Sequence, residues 1–410
     1  MRTQQPSHAL GSDAWLGADE YEPGSELHTR ATNFFTVVNW DALSSIASQH
    51  RGGESCYFTK NFSVGHFNMT RRIVFEDGTS WVARLRFPNH DTAADREALE
   101  NSKVMEIEVA SMKSKTQIPV PKVHAYSFAV ENDVGAAFIL MDYIHGSVAA
   151  EFREAQGSAV GLFGTVEQDR KFREQMAHIQ AIIASFRFKQ IGSLYYNQET
   201  DDFHVGPELQ TGKGPWVSSM EYYDDLTHHL LKSAIKNNLQ GDQSFMVPSI
   251  LNYLLRICGE EKTGPFRLVN RDFGAHNLLV NQDFDIVGVI DFDGVMAAPL
   301  EVVAQYPVLS FLQLEAPGIV DPRPAVVERV AQTAPRLQMY KDMLARYEED
   351  DKSDGIRVAA RLASESARVY QGMTAYQQHQ DFVNQKWMKS CLKMLQDSVQ
   401  DGVQSRMQQL

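Results

Sequence analysis

"LVNRDFGAHNLLVN", residues 268–281, places an arginine, an aspartate, a histidine and an asparagine between two short apolar runs. Runs such as "FRLV" and "NLLV" read as buried strands, so the polar residues between them are either an ordinary turn or a site held on rigid supports. Just downstream, "IVGVID" ends on a further aspartate, Asp291. Whether these residues form a turn or a site depends on what the rest of the chain supplies.

Upstream, "CYFTKNFSVGHFNMTRRIVFEDGTSWVARLRFP" alternates apolar and polar residues on both sides of Asp77-Gly78, a dipeptide suited to a tight hairpin turn, and Pro88 closes the second strand. A helix, "NWDALSSIASQH", precedes it. "DTAADREALENSKVMEIEVASMKSKTQ" has helical spacing that stacks Val104, Glu108 and Met112 on one face, which sets a carboxylate in an apolar row. "IPVPKVHAYSF" and "GAAFILMDYI" read as strands, the first bracketed by prolines and so suited to an edge. After His145-Gly146 helical patterns dominate: "VEQDRKFREQMAHIQAIIASFRF", "MEYYDDLTHHLLKSAIKN", "VPSILNYLLRICGEE", "AVVERVAQTAPRLQMYKDMLARYEED", "GIRVAARLASESARVYQGMTAYQQ" and a last segment from about Phe382. Pro335 is expected to kink or break its helix. The reading is α+β: a loosely ordered arm over 1–33, a lobe of antiparallel strands with one helix over 34–143, and a mainly helical lobe over 144–410 that carries the opening stretch.

Composition narrows the class. A chain of 410 residues exceeds one hydrophobic core, and 43% hydrophobic with 22% charged residues fits a globular protein rather than a disordered one. A net charge of −13 argues against a nucleic-acid partner, which would need a basic face. Cys56, Cys258 and Cys391 lack the spacing of a zinc site or a disulfide framework. No stretch has the roughly eighteen consecutive apolar residues of a membrane span. The expectation is a cytoplasmic protein with neither membrane nor nucleic-acid partner.

A polar loop between strands, followed by an acidic strand end, suits a site that holds a metal ion and a nucleophile together. In that reading Asp272 is the base, and Asn277 and Asp291 are magnesium ligands. Magnesium takes a few hard oxygens plus substrate phosphates, and phosphoryl transfer depends chiefly on positioning and charge neutralisation. The loop fits the kinase pattern D-x-x-x-x-N, with Asp291-Phe292-Asp293-Gly294 where a magnesium aspartate is expected.

Taken in order, "FEDGTSWVARLRFP", "EIEVASMKSKTQIPVPKV", "FILMDYIHG", "IGSLYYN" and "LVNRDFGAHNLLVNQDFDIVGVIDFDGVMAAPLE" resemble the aminoglycoside phosphotransferase-like kinases, relatives of choline kinases and protein kinases, in the branch common in fungi. The resemblance runs from about Asn39 to the C-terminus. It implies a bilobal protein-kinase-like fold and transfer of the ATP γ-phosphate, with magnesium, to a hydroxyl of a small molecule, antibiotic-like or biosynthetic; GTP stays open as the donor. By resemblance Asp272 is the catalytic base, Asn277 and Asp291 bind magnesium, Arg84 holds the nucleotide phosphates and Glu108 orients Arg84. Met141 backs the adenine pocket, and the main chain of Asp142 and Ile144 bonds the base.

Two departures stand out. Asn270-Arg271 occupy the place of the family's usual His-Gly, and the cation is arginine where protein kinases use lysine, a bulkier group that binds phosphate bidentately. Asn270 favours a rival reading, a catalytically silent kinase-like binding protein, while Asp272, Asn277 and Asp291 oppose it. No A-P-E segment follows Asp291 to anchor a protein substrate. Asp283, Asp285, Asp291 and Asp293 are not a calcium loop, because "IVGVI" interrupts the ligand spacing, and "GPELQTGKG" misses the P-loop spacing and its Ser or Thr. "EYYDD" at 221–225 is read first as helix surface, with a cationic acceptor as the alternative.

Overall fold

The computed structural model of the chain describes residues 11–88, 101–113, 117–197, 199–236, 242–258, 263–292, 294–312, 324–348 and 355–378, together with 393, 396 and 397. Most of the helix expected from Phe382, the first part of the helix expected from Asp91, and Asp293 lie outside the described residues. The chain divides into two compact units that interleave in sequence: 1–175, 194–204 and 274–295 form one, and 176–193, 205–273 and 296–410 the other.

The first unit is built on a five-stranded antiparallel sheet. Its strands are β1 (Cys56–Val64), β2 (Asn68–Phe75), β3 (Ser80–Arg86), β4 (Val123–Ser127) and β5 (Phe138–Asp142), in the order β1-β2-β3-β5-β4. β2 and β3 meet at the expected hairpin. Gly78 there has φ +85°, which glycine adopts without Cβ strain, and the Asp77 carboxylate accepts the Thr79 N–H at 2.8 Å. β4, the strand bracketed by prolines, lies at the sheet edge as its sequence predicts. β3 is central and buried along its whole length, so the two arginines on it, Arg84 and Arg86, are buried with it.

Helices α1 (Glu26–Val37) and α2 (Trp40–His50) cover the sheet, with Phe34 and Leu43 in a core that includes Ile73, Trp81, Leu85 and Leu140. α1 begins inside the stretch expected to be a loose arm. The described part of that stretch, from Gly11, is anchored: the Ser12 N–H donates to the Tyr143 hydroxyl at 3.1 Å, and Asn61 Nδ2 to the Asp13 carbonyl at 3.2 Å. Single specific contacts hold a segment whose composition alone would leave it loose. α3 (Asn101–Lys113) buries the predicted row, Val104, Glu108 and Met112 at 4%, 2% and 6% exposed, and buries Met105, Ile107, Val109 and Ala110 on its other sides as well. After β6 (Ser147–Val148) come α4 (Ala149–Ala155) and α5 (Val166–Ala184), whose last turns pass into the second unit.

In the second unit β7 (Arg187–Phe188) pairs with β10 (Phe266–Asn270), and the start of β8 (Gly192–Asn197) pairs with β13 (Val295–Ala298) at Ser193 and Met296. A further strand, β9 (Asp202–Gly206), follows β8. Back in the first unit, β11 (Leu278–Val280) lies between β6 and β12 (Ile286–Val289). The helices of the second unit are α6 (Ser219–Lys236), α7 (Asp242–Cys258), α8 (Leu300–Val303), α9 (Pro324–Tyr347), α10 (Val358–Arg361) and α11 (Glu365–Gln378). α9 runs through Pro335 without ending there. The segment expected as one helix over 355–378 is instead two, separated at Ala363, whose φ of +65° no α-helix accommodates. The α+β class read from the sequence is the one the chain adopts.

Candidate active site

Arg84 is the centre of the constellation in the first unit. β3 carries it, in register with Thr70 on β2 and Ile139 on β5, so its main chain is locked in the middle of the sheet. Its Nη1 lies 2.9 Å from Glu108 Oε1 on α3, and its Nη2 lies 3.1 Å from Asp291 Oδ1. The Asn68 amide, oriented with its oxygen toward the guanidinium, accepts from Nη2 at 2.8 Å. A buried guanidinium is tolerated because opposite charge and hydrogen-bond acceptors surround it. The acid in the apolar row is thereby accounted for: Glu108 faces the core because Arg84 is there.

Asp291 follows β12 and holds φ at +64°, a left-handed conformation unusual for a residue with a Cβ. Asn277 sits beside the same strand: its carbonyl accepts the Ile290 N–H at 3.0 Å, and its N–H donates to the Gly274 carbonyl at 3.0 Å. The Asn277 amide nitrogen is 3.2 Å from His276 Nε2, which turns the amide oxygen away from that ring. A carboxylate and an amide oxygen are hard ligands of the kind magnesium accepts, and one or two protein ligands suffice for an ion that keeps its waters or phosphates. The residues present therefore fit that ion. Among the described residues there is no cluster of three or more His, Cys, Asp and Glu that would serve a richer metal site.

The candidate adenine segment also belongs to the first unit. Met141 is 6% exposed on β5, paired with Val82 and Val123. The Asp142 N–H is given to the Lys122 carbonyl at 3.0 Å, and its own carbonyl stays at the strand end. Ile144 packs against Gly288, where a Cβ would come within 2.7 Å of Ile144 Cδ1, so that strand position needs glycine for space. Two groups that pattern reading passed over brace this segment. His124 Nε2 lies 2.6 Å from Asp142 Oδ1 while its ring stacks on Trp81 at 3.9 Å, and the Tyr143 hydroxyl donates to Ser12 Oγ at 3.1 Å. An edge strand and an N-terminal segment give no periodic signal for such contacts.

Asp272 belongs to the second unit, at the end of β10. Asn270, 4% exposed, uses its side-chain Oδ1 to accept the Asp272 N–H at 3.0 Å, and its carbonyl accepts the Phe273 N–H at 3.2 Å. Asparagine in the place of the usual histidine thus props the loop through a local turn. Arg271 pairs with Glu208 at 2.6 Å. Glu208 lies in "GPELQTGKG", and no spacing rule links that loop to residue 271, so the pair was not legible. The "EYYDD" run is spent on structure: Tyr222 and Tyr223 are buried, Asp224 pairs with Arg256 and Asp225 with Lys213.

The sequence profile of a family described as "Phosphotransferase enzyme family" matches residues 60–302, more than half of the chain. Two subtelomeric hrmA-associated cluster proteins from two strains of Aspergillus fumigatus are each 30% identical over 175 residues, 41% of this chain and 30% of theirs. The chain thus spans less than a third of those curated relatives. Among solved structures, a protein described as a fructosamine-3-kinase from Thermobifida fusca is 13% identical with a TM-score of 0.49, over 86% of this chain and 99% of its own. A thermostable mutant of the aminoglycoside phosphotransferase APH(4)-Ia, in a ternary complex with ADP and hygromycin B, is 14% identical with a TM-score of 0.45, over 87% of this chain and 98% of its own. No helix among the described residues is long and apolar enough to cross a membrane.

Proposed function

This chain belongs to the phosphotransferase enzyme family, and from that premise we propose that it moves the γ-phosphate of ATP to a hydroxyl of a small molecule, with magnesium as cofactor. The observation that carries the reading is Arg84, buried on a central strand between Glu108 at 2.9 Å and Asp291 at 3.1 Å. A chain gains little stability from burying such a set, whereas a site that must grip phosphates needs a cation fixed in place.

In this reading Arg84 contacts the nucleotide phosphates and Glu108 holds its guanidinium in one rotamer. The Asp142 carbonyl and the Ile144 N–H bond the adenine edge, with Met141 behind the ring. Asn277 and Asp291 would hold magnesium, which when bound would neutralise phosphate charge. Asp272 orients the acceptor hydroxyl and takes its proton. The hydroxyl oxygen forms the new bond to the γ-phosphorus as the bond from that phosphorus to the β,γ-bridging oxygen breaks. ADP leaves with that electron pair. The propped loop at Asn270 supports an active enzyme over the silent binding protein.

The test has two steps. ATP with magnesium should raise the unfolding temperature of the purified chain, and ATP without magnesium, or Arg84→Ala with both, should raise it much less. A mass-shift screen of hydroxylated metabolites, including aminoglycosides and sugar amines, should then find an acceptor that gains one phosphate. A chain that neither binds ATP with magnesium nor hydrolyses it slowly without acceptor would instead be the silent binding protein.

A further inference from the structure

A second charged constellation lies in the second unit, and the phosphoryl-transfer reading makes no use of it. Arg271 Nη2 is 2.6 Å from Glu208 Oε1, and Arg271 Nη1 donates to Gln210 Oε1 at 3.2 Å. Glu208 is wholly buried but well solvated by the protein itself. Its Oε1 accepts the Gln210 N–H at 2.9 Å, and its Oε2 accepts the Thr211 N–H at 2.9 Å and the Thr211 hydroxyl at 3.0 Å. The main chain closes the same turn, the Glu208 N–H reaching the Lys213 carbonyl at 2.7 Å and the Gly212 N–H the Glu208 carbonyl at 2.9 Å. Burial alone would favour a neutral acid here, but Arg271 and these donors outweigh it and hold the carboxyl below its usual range.

The turn is itself fastened. Lys213 pairs with Asp225 on α6, and Trp216 Nε1 donates to Asp225 Oδ2 at 2.8 Å while its ring packs edge-on against Tyr222 at 5.2 Å. A run of contacts therefore leads from α6 through the 208–213 turn to Arg271, the residue before Asp272. Replacing a buried ion pair by apolar residues is often neutral or stabilising, so stability does not explain why this one is present. A pair of this kind does fix where residue 271 sits. With its guanidinium held by two anchored partners and Asn270 holding the Asp272 N–H, the main chain that presents the Asp272 carboxylate has little freedom to turn.

We infer that Glu208 is a positioning residue for Asp272, acting through Arg271, and that the 208–213 turn fixes the geometry of the loop that carries the base. The inference rests on reading Asp272 as the acceptor of the hydroxyl proton. It goes beyond that reading by giving the base an anchor on a distant loop.

Glu208→Gln, Arg271→Met and the double variant Glu208→Leu/Arg271→Met are compared with the parent chain. The measurements are thermal unfolding, magnesium-dependent ATP hydrolysis with water in place of the acceptor, and amide hydrogen exchange over residues 268–275. Glu208→Gln should lower kcat about ten- to a hundredfold with the KM for ATP within about threefold, the signature of a misplaced group rather than a lost binding contact. Exchange at 268–275 should rise. The double variant should regain the parental unfolding temperature and still lack kcat. A double variant that recovers both overturns the inference, because the pair then serves folding alone. If the double variant fails to fold, parental kcat in Glu208→Gln is the overturning result. A parent that hydrolyses no ATP sinks the phosphoryl-transfer reading instead. The exchange measurement still decides the positioning: unchanged exchange in Glu208→Gln overturns it whether or not the parent turns over.

Discussion

Asp291 keeps φ at +64°, a conformation that costs a side-chain-bearing residue on the order of 1–3 kcal/mol and persists only where the surroundings impose it. Here the carboxylate is paired with Arg84 at 3.1 Å. Asparagine tolerates this backbone nearly as well as aspartate, whereas a β-branched residue does not. Asp291→Val should therefore lower stability by about 1–3 kcal/mol more than Asp291→Asn, measured by urea unfolding. Equal losses would mean that the charge, and not the backbone, is what the position requires. The sequence announced Asp291 because an acid ended an apolar run, and Glu108 because an acid interrupted an apolar face. Glu208 announced nothing, since a buried acid in a loop looks the same in sequence as an exposed one.

Elements were legible where one period ran long enough. The β2–β3 hairpin, the buried row of α3 and the edge position of β4 follow from alternation, helical spacing and prolines. The described part of the N-terminal stretch, from Gly11, is held by individual residues that composition does not reveal: Ser12 on Tyr143, and Gly17, where a Cβ would come within 2.7 Å of the Phe62 ring. Its docking carries a charge cost that pH should expose. Burial first, then Glu20 from the N-terminal segment and Glu154 from α4, raise the pKa of Glu151 on α4. A carboxyl with a raised folded-state pKa binds its proton more tightly folded than unfolded. Its contribution is thus full below the unfolded pKa and is lost as pH rises through the folded one. Glu151→Gln should therefore gain unfolding temperature relative to the parent chain as pH rises from the ordinary carboxylate range toward neutrality, with the two alike at lower pH. A profile unchanged by Glu151→Gln would show that the three acids do not interact in solution.

At the scale of the whole molecule, the sequence suggested a boundary near residue 143, but the compact units interleave, and the chain crosses between them inside the opening stretch, after Phe273. No local pattern marks such a crossing, because it depends on contacts between segments far apart in sequence. The crossing sorts the proposed roles. Arg84, Glu108, Asn277, Asp291 and the adenine segment all belong to the first unit, and Asp272 to the second. If that division is functional, nucleotide binding and proton transfer should separate cleanly by mutation. Asp272→Asn should bind ATP with magnesium as the parent does, and hydrogen exchange should show the same nucleotide protection of β3, α3 and β12. Its turnover should drop by a factor on the order of 10²–10⁴, the usual worth of a positioned general base. Asp291→Asn should lose both turnover and the magnesium dependence of ATP binding, because Asn277 alone offers the ion no charge. Calorimetric titration of ATP with and without magnesium distinguishes the two. Loss of magnesium-dependent binding in Asp272→Asn, with its retention in Asp291→Asn, would reverse the two roles even in an active phosphotransferase.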